Sequence, residues 1–220
     1  MLLQIDAFTR HYSEAQKLDN DYDKYNTFFS ELSSKFPSVI PYRCARLRIV
    51  LHPQIKIYGF VASLRDKINK SKGQDRKMVL HVGVFDKRDS LKGHSALLIF
   101  DILNQVQYYY DPLAYVGDNS KINAHMAVTP LVDGFTCQVI MAPTTDRCIQ
   151  RLVEPSCLHN TTCGLVCVLV SLCFIYSGRE FFEVVDALAR TCATHPTYIQ
   201  SFMLRFAAYY NEKVESYGVV

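Results

Sequence analysis

The chain has 220 residues, 49% hydrophobic and 20% charged, with a net charge of +3. That is apolar material enough for one domain with a substantial core, and it excludes a disordered or low-complexity polypeptide. The slight positive balance permits weak nucleic-acid association without requiring it.

From the N-terminus, residues from Asp6 to Lys35 alternate charge with apolar and aromatic positions, predicting one or two helices that end before Pro37. Cys44 to Leu51 and Gln54 to Ala62 read as strands or short buried segments. The segment from Arg65 to Lys77 has the strongest local charge bias and reads as a polar, basic loop. Its default role is a solvated linker, although clustered Lys and Arg can also contact a phosphate backbone. Met78 to Phe85 is a clearer strand, with His81 as a core residue inside it.

Next come Gly93-His94-Ser95-Ala96-Leu97-Leu98-Ile99-Phe100-Asp101 and Gln107-Tyr108-Tyr109-Tyr110-Asp111-Pro112. Both suit half-buried strands, and Asp101 with Asn104 supplies the turn of an antiparallel hairpin. His94 opens the hairpin and Asp111 closes it, so the two are neighbours across the ladder, and Pro112 stops the second strand. A carboxylate is thereby delivered to an imidazole, which is the base-and-orienter half of a Cys-His-Asp triad.

The thiol half is at Thr161-Thr162-Cys163-Gly164-Leu165-Val166-Cys167, where a Cys-Gly pair opens an apolar run reaching Ile175. This places Cys163 at the mouth of a buried helix, where unpaired N–H groups and the helix dipole favour a thiolate and offer oxyanion donors. Cys167 and Cys173 share that helix, and burial should make them inert. The run is too short to span a bilayer, and no basic region followed by a long apolar segment opens the chain, so an intracellular protein is expected. Its eight cysteines (Cys44, Cys137, Cys148, Cys157, Cys163, Cys167, Cys173 and Cys192) include no Cys-x-x-Cys pair, so reduced thiols are expected rather than disulfides or a zinc site. Gly178 breaks the helix, and Phe181 to Ala193 and Tyr198 to Glu212 show helical spacing. The organisation is α+β: a helical preface, a sheet region and a helical close. His159, close before Cys163, is the reserve base; His11, His52, His125 and His195 have no acidic or thiol partner at telling spacing.

The order His94, Asp111, Cys163, the strand ending in Tyr110-Asp111-Pro112-Leu113, and Thr162-Cys163-Gly164-Leu165-Val166-Cys167 resemble adenain, the adenovirus endopeptidase family, and more distantly the SUMO-specific proteases. The resemblance covers roughly Val79 to Ser177. It implies a mixed central sheet with helices packed around it, a nucleophile at the N-terminus of a buried central helix, and a papain-like arrangement in circularly permuted order. The whole chain, 1–220, would be one protease domain, with a divergent N-terminal part (1–77), a catalytic core (78–178) and C-terminal helices (179–220). Carried over residue by residue, Cys163 is the nucleophile, His94 the general base and Asp111 its orienting carboxylate.

The sequence departs from the family in two places at the site. Ser95 stands where the family has Trp after the catalytic His. Cys157 and Ser156 stand where it has a Gln that helps form the oxyanion hole, which leaves Cys157, Ser156, Asn160 and Gln150 as alternative donors. Asp146-Arg147-Cys148-Ile149 is similar to the segment where adenain captures an activating peptide, so Cys148 is the candidate thiol for a peptide disulfide. Adenain also uses DNA as a cofactor, which the basic segment 65–77 could contact; no metal or small molecule is implied. The resemblance therefore implies a viral cysteine endopeptidase that cleaves virion precursor proteins during maturation, in the host nucleus and the virion. The alternatives are a protease for ubiquitin-like modifiers, an acetyltransferase sharing the triad, or a catalytically weakened homologue acting as a scaffold.

Overall fold

The computed structural model describes Phe36, residues 38–40, 48–51, 54–59, 61–85, 94–112 and 119–140, Ile149, and residues 162–195. The helices expected at Asp6–Lys35 and Tyr198–Glu212 lie outside these residues. So do Cys148, Gln150, Ser156, Cys157, His159 and Asn160.

One mixed sheet organises the described residues. Its strands are β1 (Arg48–Val50), β2 (Lys56–Tyr58), β3 (Lys77–Phe85), β4 (His94–Asp101), β5 (Val106–Tyr110) and β6 (Thr136–Ile140), in the spatial order β2-β1-β3-β4-β5-β6. The β1/β3 and β5/β6 pairs are parallel and the others antiparallel. Strands β3, β4 and β5 are buried along nearly their whole length. Helices cover both of their faces, which is why their sequences read as continuous apolar runs rather than alternating ones.

The pleat divides the core in two. Met78, Leu80, Val82 and Val84 of β3, with Ala96, Leu98 and Phe100 of β4, pack on Leu64 and Ile68 of α1 (Val61–Asn69) and on Ile122 and Met126 of α2 (Asn119–Val128). Val79, Leu97, Ile99, Tyr108 and Tyr110 point to the other face. There they meet Val166, Cys167, Leu169, Val170 and Phe174 of α3 (Thr162–Ser177) and Phe181, Val184, Val185 and Ala189 of α4 (Phe181–Thr194). Phe181 seals this layer, its ring 5.2–5.8 Å from those of Phe174, Tyr108 and Tyr110. Gly178, at φ +64°, ends α3 in the left-handed conformation that favours glycine.

The hairpin expected from Gly93 to Pro112 is present. Asp101 accepts from both the backbone N–H and the side-chain amide of Asn104, each at 3.0 Å, and so fixes the turn. Its strands pair Leu97 with Tyr110 and Ile99 with Tyr108. Continuing that register puts Ala96, not His94, opposite Asp111. His94 and Asp111 are therefore diagonal neighbours on one face, two residues out of step, a separation that long side chains still bridge.

The basic segment departs from the loop expectation. Its first part, Arg65 to Asn69, completes α1, because Val61, Leu64 and Ile68 recur at helical spacing and bury two of their number. Several of its cations are engaged within the chain: Arg65 donates to the Leu131 carbonyl and Arg76 to that of Val39, Lys70 pairs with Asp66 at 2.7 Å, and Lys77 lies 4.6 Å from the Phe174 ring centre. Lys67 and Lys72 are exposed.

Candidate active site

Two supports bring the candidate residues together. Cys163 is the second residue of α3, in the first turn, where the backbone N–H groups have no carbonyl partner within the helix. No acidic residue occupies that turn to compete for the positive end of the dipole. The apolar run that follows docks the helix against β4 and leaves Cys163 only 5% exposed. His94 is the first residue of β4, and Asp111 follows the last residue of β5. The site thus forms at one end of the central sheet, where a helix start, a strand start and a strand end converge.

Asp111 Oδ1 is 2.6 Å from His94 Nε2, with the Asp111 side chain fully buried and that of His94 16% exposed. Since Asp111 takes Nε2, Nδ1 is the ring nitrogen left for the sulfur of Cys163. Burial alone would push the imidazole down. Hydrogen bonds to Asp111 and Cys163, and the negative charges of both, outweigh burial and lift His94 to about 10. The ring is therefore an imidazolium at neutral pH. The residue expected from sequence to act as a base is thus one that its neighbours, against the effect of burial, leave protonated.

The remaining described cysteines are free thiols of a different character. Burial pushes Cys167 well above the ordinary thiol range, and Cys192 to about 11. Burial raises Cys137 and Cys173 as well. His81 is a core residue, as expected, at 1% exposure; burial, with the charge of His94 adding to it, holds its ring down at about 3. Among the described residues no group of three or more His, Cys, Asp or Glu side chains could hold a metal ion.

No protein-family model matches the chain, and no curated protein sequence matches it. Solved structures do. The effector protein Cdu1 of Chlamydia trachomatis, bound to ubiquitin, superposes with a TM-score of 0.52 at 14% identity, covering 88% of this chain and 92% of that one. ChlaDub1 from Chlamydia trachomatis gives 0.46 at 12% identity over 83% and 90% of the two chains. The SUMO protease Ulp1, with its catalytic cysteine oxidised to a sulfinic acid, gives 0.33 at 12% identity over 78% and 75%. The likeness to Cdu1 is one of fold. The α+β class with a mixed central sheet, and the buried helix that opens at Cys163, agree with the sequence reading.

One contact went unrecognised in the sequence. Cys167, expected only as inert packing, donates through its sulfur to the Ser95 carbonyl at 3.6 Å. Its signal was available in the position of Cys167 one helical turn beyond Cys163.

Asp111 is the largest cause raising His94, which gives its removal a definite sign. Asp111→Asn is expected to lower peptide hydrolysis on the order of a hundredfold. It should also move the pH dependence of Cys163 alkylation by iodoacetamide toward higher pH, because the imidazolium is no longer held. An alkylation profile unchanged from wild type would show that Asp111 does not act on the pair.

Proposed function

We propose that the chain is a cysteine endopeptidase in which Cys163 is the nucleophile, His94 the proton carrier and Asp111 its orienting carboxylate. The observation that carries this reading is the buried 2.6 Å bond between Asp111 and His94, with Cys163 at the mouth of α3 among the groups that raise the same ring. The Cys163 sulfur, as thiolate, adds to the scissile carbonyl carbon. The carbonyl oxygen takes up the electron pair and is met by unpaired N–H groups of the first turn. As the tetrahedral adduct collapses, the carbon–nitrogen bond breaks and His94 gives its proton to the departing amine, leaving a thioester and a neutral imidazole. That imidazole then takes a proton from water, whose hydroxide adds to the thioester. Collapse expels the thiolate and releases the carboxylate product, which restores the ion pair.

The substrates assigned to this site are viral precursor polypeptides cut during virion maturation, with the host nucleus and the virion as the place of action. Support comes from the motif resemblance to adenain. On this reading Cys148 captures an activating peptide and the exposed Lys67 and Lys72 contact DNA. A second reading, cleavage after a ubiquitin-like modifier, is favoured by the likeness of fold to Cdu1, which was solved with ubiquitin bound.

Active-site-directed probes separate the two. A peptide vinyl sulfone is expected to label Cys163 at least about tenfold faster than ubiquitin or SUMO carrying a C-terminal propargylamide, one order of magnitude being the discrimination of about 1.4 kcal/mol. Faster labelling by a modifier probe would move the assignment to the second reading. Folded protein that no probe labels at Cys163 would end the peptidase assignment.

A further inference from the structure

The Cys163 thiol and the His94 ring stand on different elements, so their separation depends on how α3 docks on β4. Four residues beyond Cys163, Cys167 is fully buried and donates to the Ser95 carbonyl at 3.6 Å. Cys163 and Cys167 lie one above the other on the same helix face, separated by about 6 Å of helical rise. Ser95 follows His94 directly and is itself 4% exposed. Beside the apolar packing of Leu97 and Ile99, a sulfur-to-carbonyl contact thus joins the helix of Cys163 to the strand of His94, one turn from the first and one residue from the second.

Two features suit Cys167 to that task. Ser95 lies opposite Gly83 in the β3/β4 ladder, while the β4/β5 register, continued from Leu97 opposite Tyr110, puts Pro112 on its other side, and proline has no N–H to give. Ser171 in turn donates to the Cys167 carbonyl at 2.8 Å, fixing this turn of α3 from within. Because burial keeps the Cys167 thiol protonated, it remains a donor across the range in which His94 is charged.

We propose that Cys167 is a positioning residue whose hydrogen bond to the Ser95 carbonyl sets the separation between the Cys163 sulfur and the His94 ring. This rests on the roles proposed above for Cys163 and His94. The competing account is that Cys167 merely fills space.

The test is iodoacetamide alkylation of Cys163, read by mass spectrometry at pH 6, for wild type and for Cys167→Ser, Cys167→Ala and Cys167→Val, each with His94 intact and with His94→Gln. Val keeps the site filled where Ala leaves a void. With His94 intact, Ala and Val should slow alkylation about fivefold, the loss of one ordinary hydrogen bond, and Ser, which keeps a donor, should stay within about twofold of wild type. With His94→Gln the same substitutions should change nothing further. Peptide hydrolysis should lose kcat in parallel while KM holds. The proposal is overturned if Ser is as slow as Val, if Ala and Val match wild type, or if the losses persist undiminished with His94→Gln. Alkylation needs no substrate: wild type that alkylates in the expected pattern but cleaves no peptide would refute the peptidase reading and leave the Cys167 contact standing.

Discussion

Cys163→Ala is expected to lower peptide-bond hydrolysis by at least about ten-thousandfold, the scale of loss when a nucleophile acting as one unit with its base is removed. The thermal midpoint should stay near that of wild type, because the change deletes a single sulfur from the first turn of α3 and leaves the apolar run behind it intact. His94→Gln should come close to the same loss. Without the ring, the departing amine receives no proton and the thiol has no cation beside it. The two losses should not multiply in the double variant, since each removes the same ion pair. The measurement is single-turnover cleavage of a peptide substrate, with circular dichroism as the control for folding. Hydrolysis by Cys163→Ala above about one per cent of wild type, far over the residual rate expected from binding alone, would assign the chemistry elsewhere.

Stability is expected to pass through a maximum near neutral pH, with His81 shaping the acid limb and His94 the alkaline one. His81 titrates at about 3 in the folded chain against 6.5 unfolded, so the unfolded state binds more protons between those values. The stability linked to its neutral form is therefore complete above pH 6.5 and drains away as pH falls toward 3, amounting to about 3 kcal/mol by pH 4. His94 has the opposite sign. Its folded value of about 10 lies above 6.5, so its contribution is complete below pH 6.5 and is lost as pH rises through 10. His81→Gln, which keeps hydrogen-bonding capacity and cannot titrate, should flatten the acid limb and leave the alkaline limb alone; His94→Gln should flatten the alkaline limb and, by removing the charge that helps hold His81 down, ease the acid limb by a smaller amount. Denaturant midpoints from pH 4 to pH 10 provide the comparison. An acid limb of equal slope in His81→Gln and wild type would remove His81 from this account.

The sequence carried the hairpin, the buried helix and the chemistry of their ends, because each rests on a local signal. Asp101 and Asn104 mark a turn, Pro112 marks a stop, and Cys-Gly ahead of an apolar run marks a helix mouth. What escaped the sequence depends on tertiary packing. The charges between Arg65 and Lys77 masked the spacing of Val61, Leu64 and Ile68, so the end of α1 read as loop. Among its described side chains, helix α2 presents Ile122 and Met126 to the core, with the polar Asn123 buried beside them, and β6 alternates too weakly to stand out. The diagonal offset of His94 and Asp111 depends on ladder register, which no single residue reveals. The pleat even assigns those two side chains to the face opposite α3, and only their place at the end of the sheet lets them share a site with Cys163.

That offset makes the far end of the hairpin answerable for chemistry. The Asp101–Asn104 turn stands seven residues from His94 along β4, about 23 Å away at the rise of an extended chain. Yet that turn, with the burial pattern of the strands, counts the rungs between them. A slip of one rung would rotate the carboxylate of Asp111 to the other side of the sheet and strand the imidazole, and it would carry Tyr108, Tyr109 and Tyr110 to the wrong layers of the core as well. A lesion in this remote loop would then reach the triad and the core together, far from the residue that was changed.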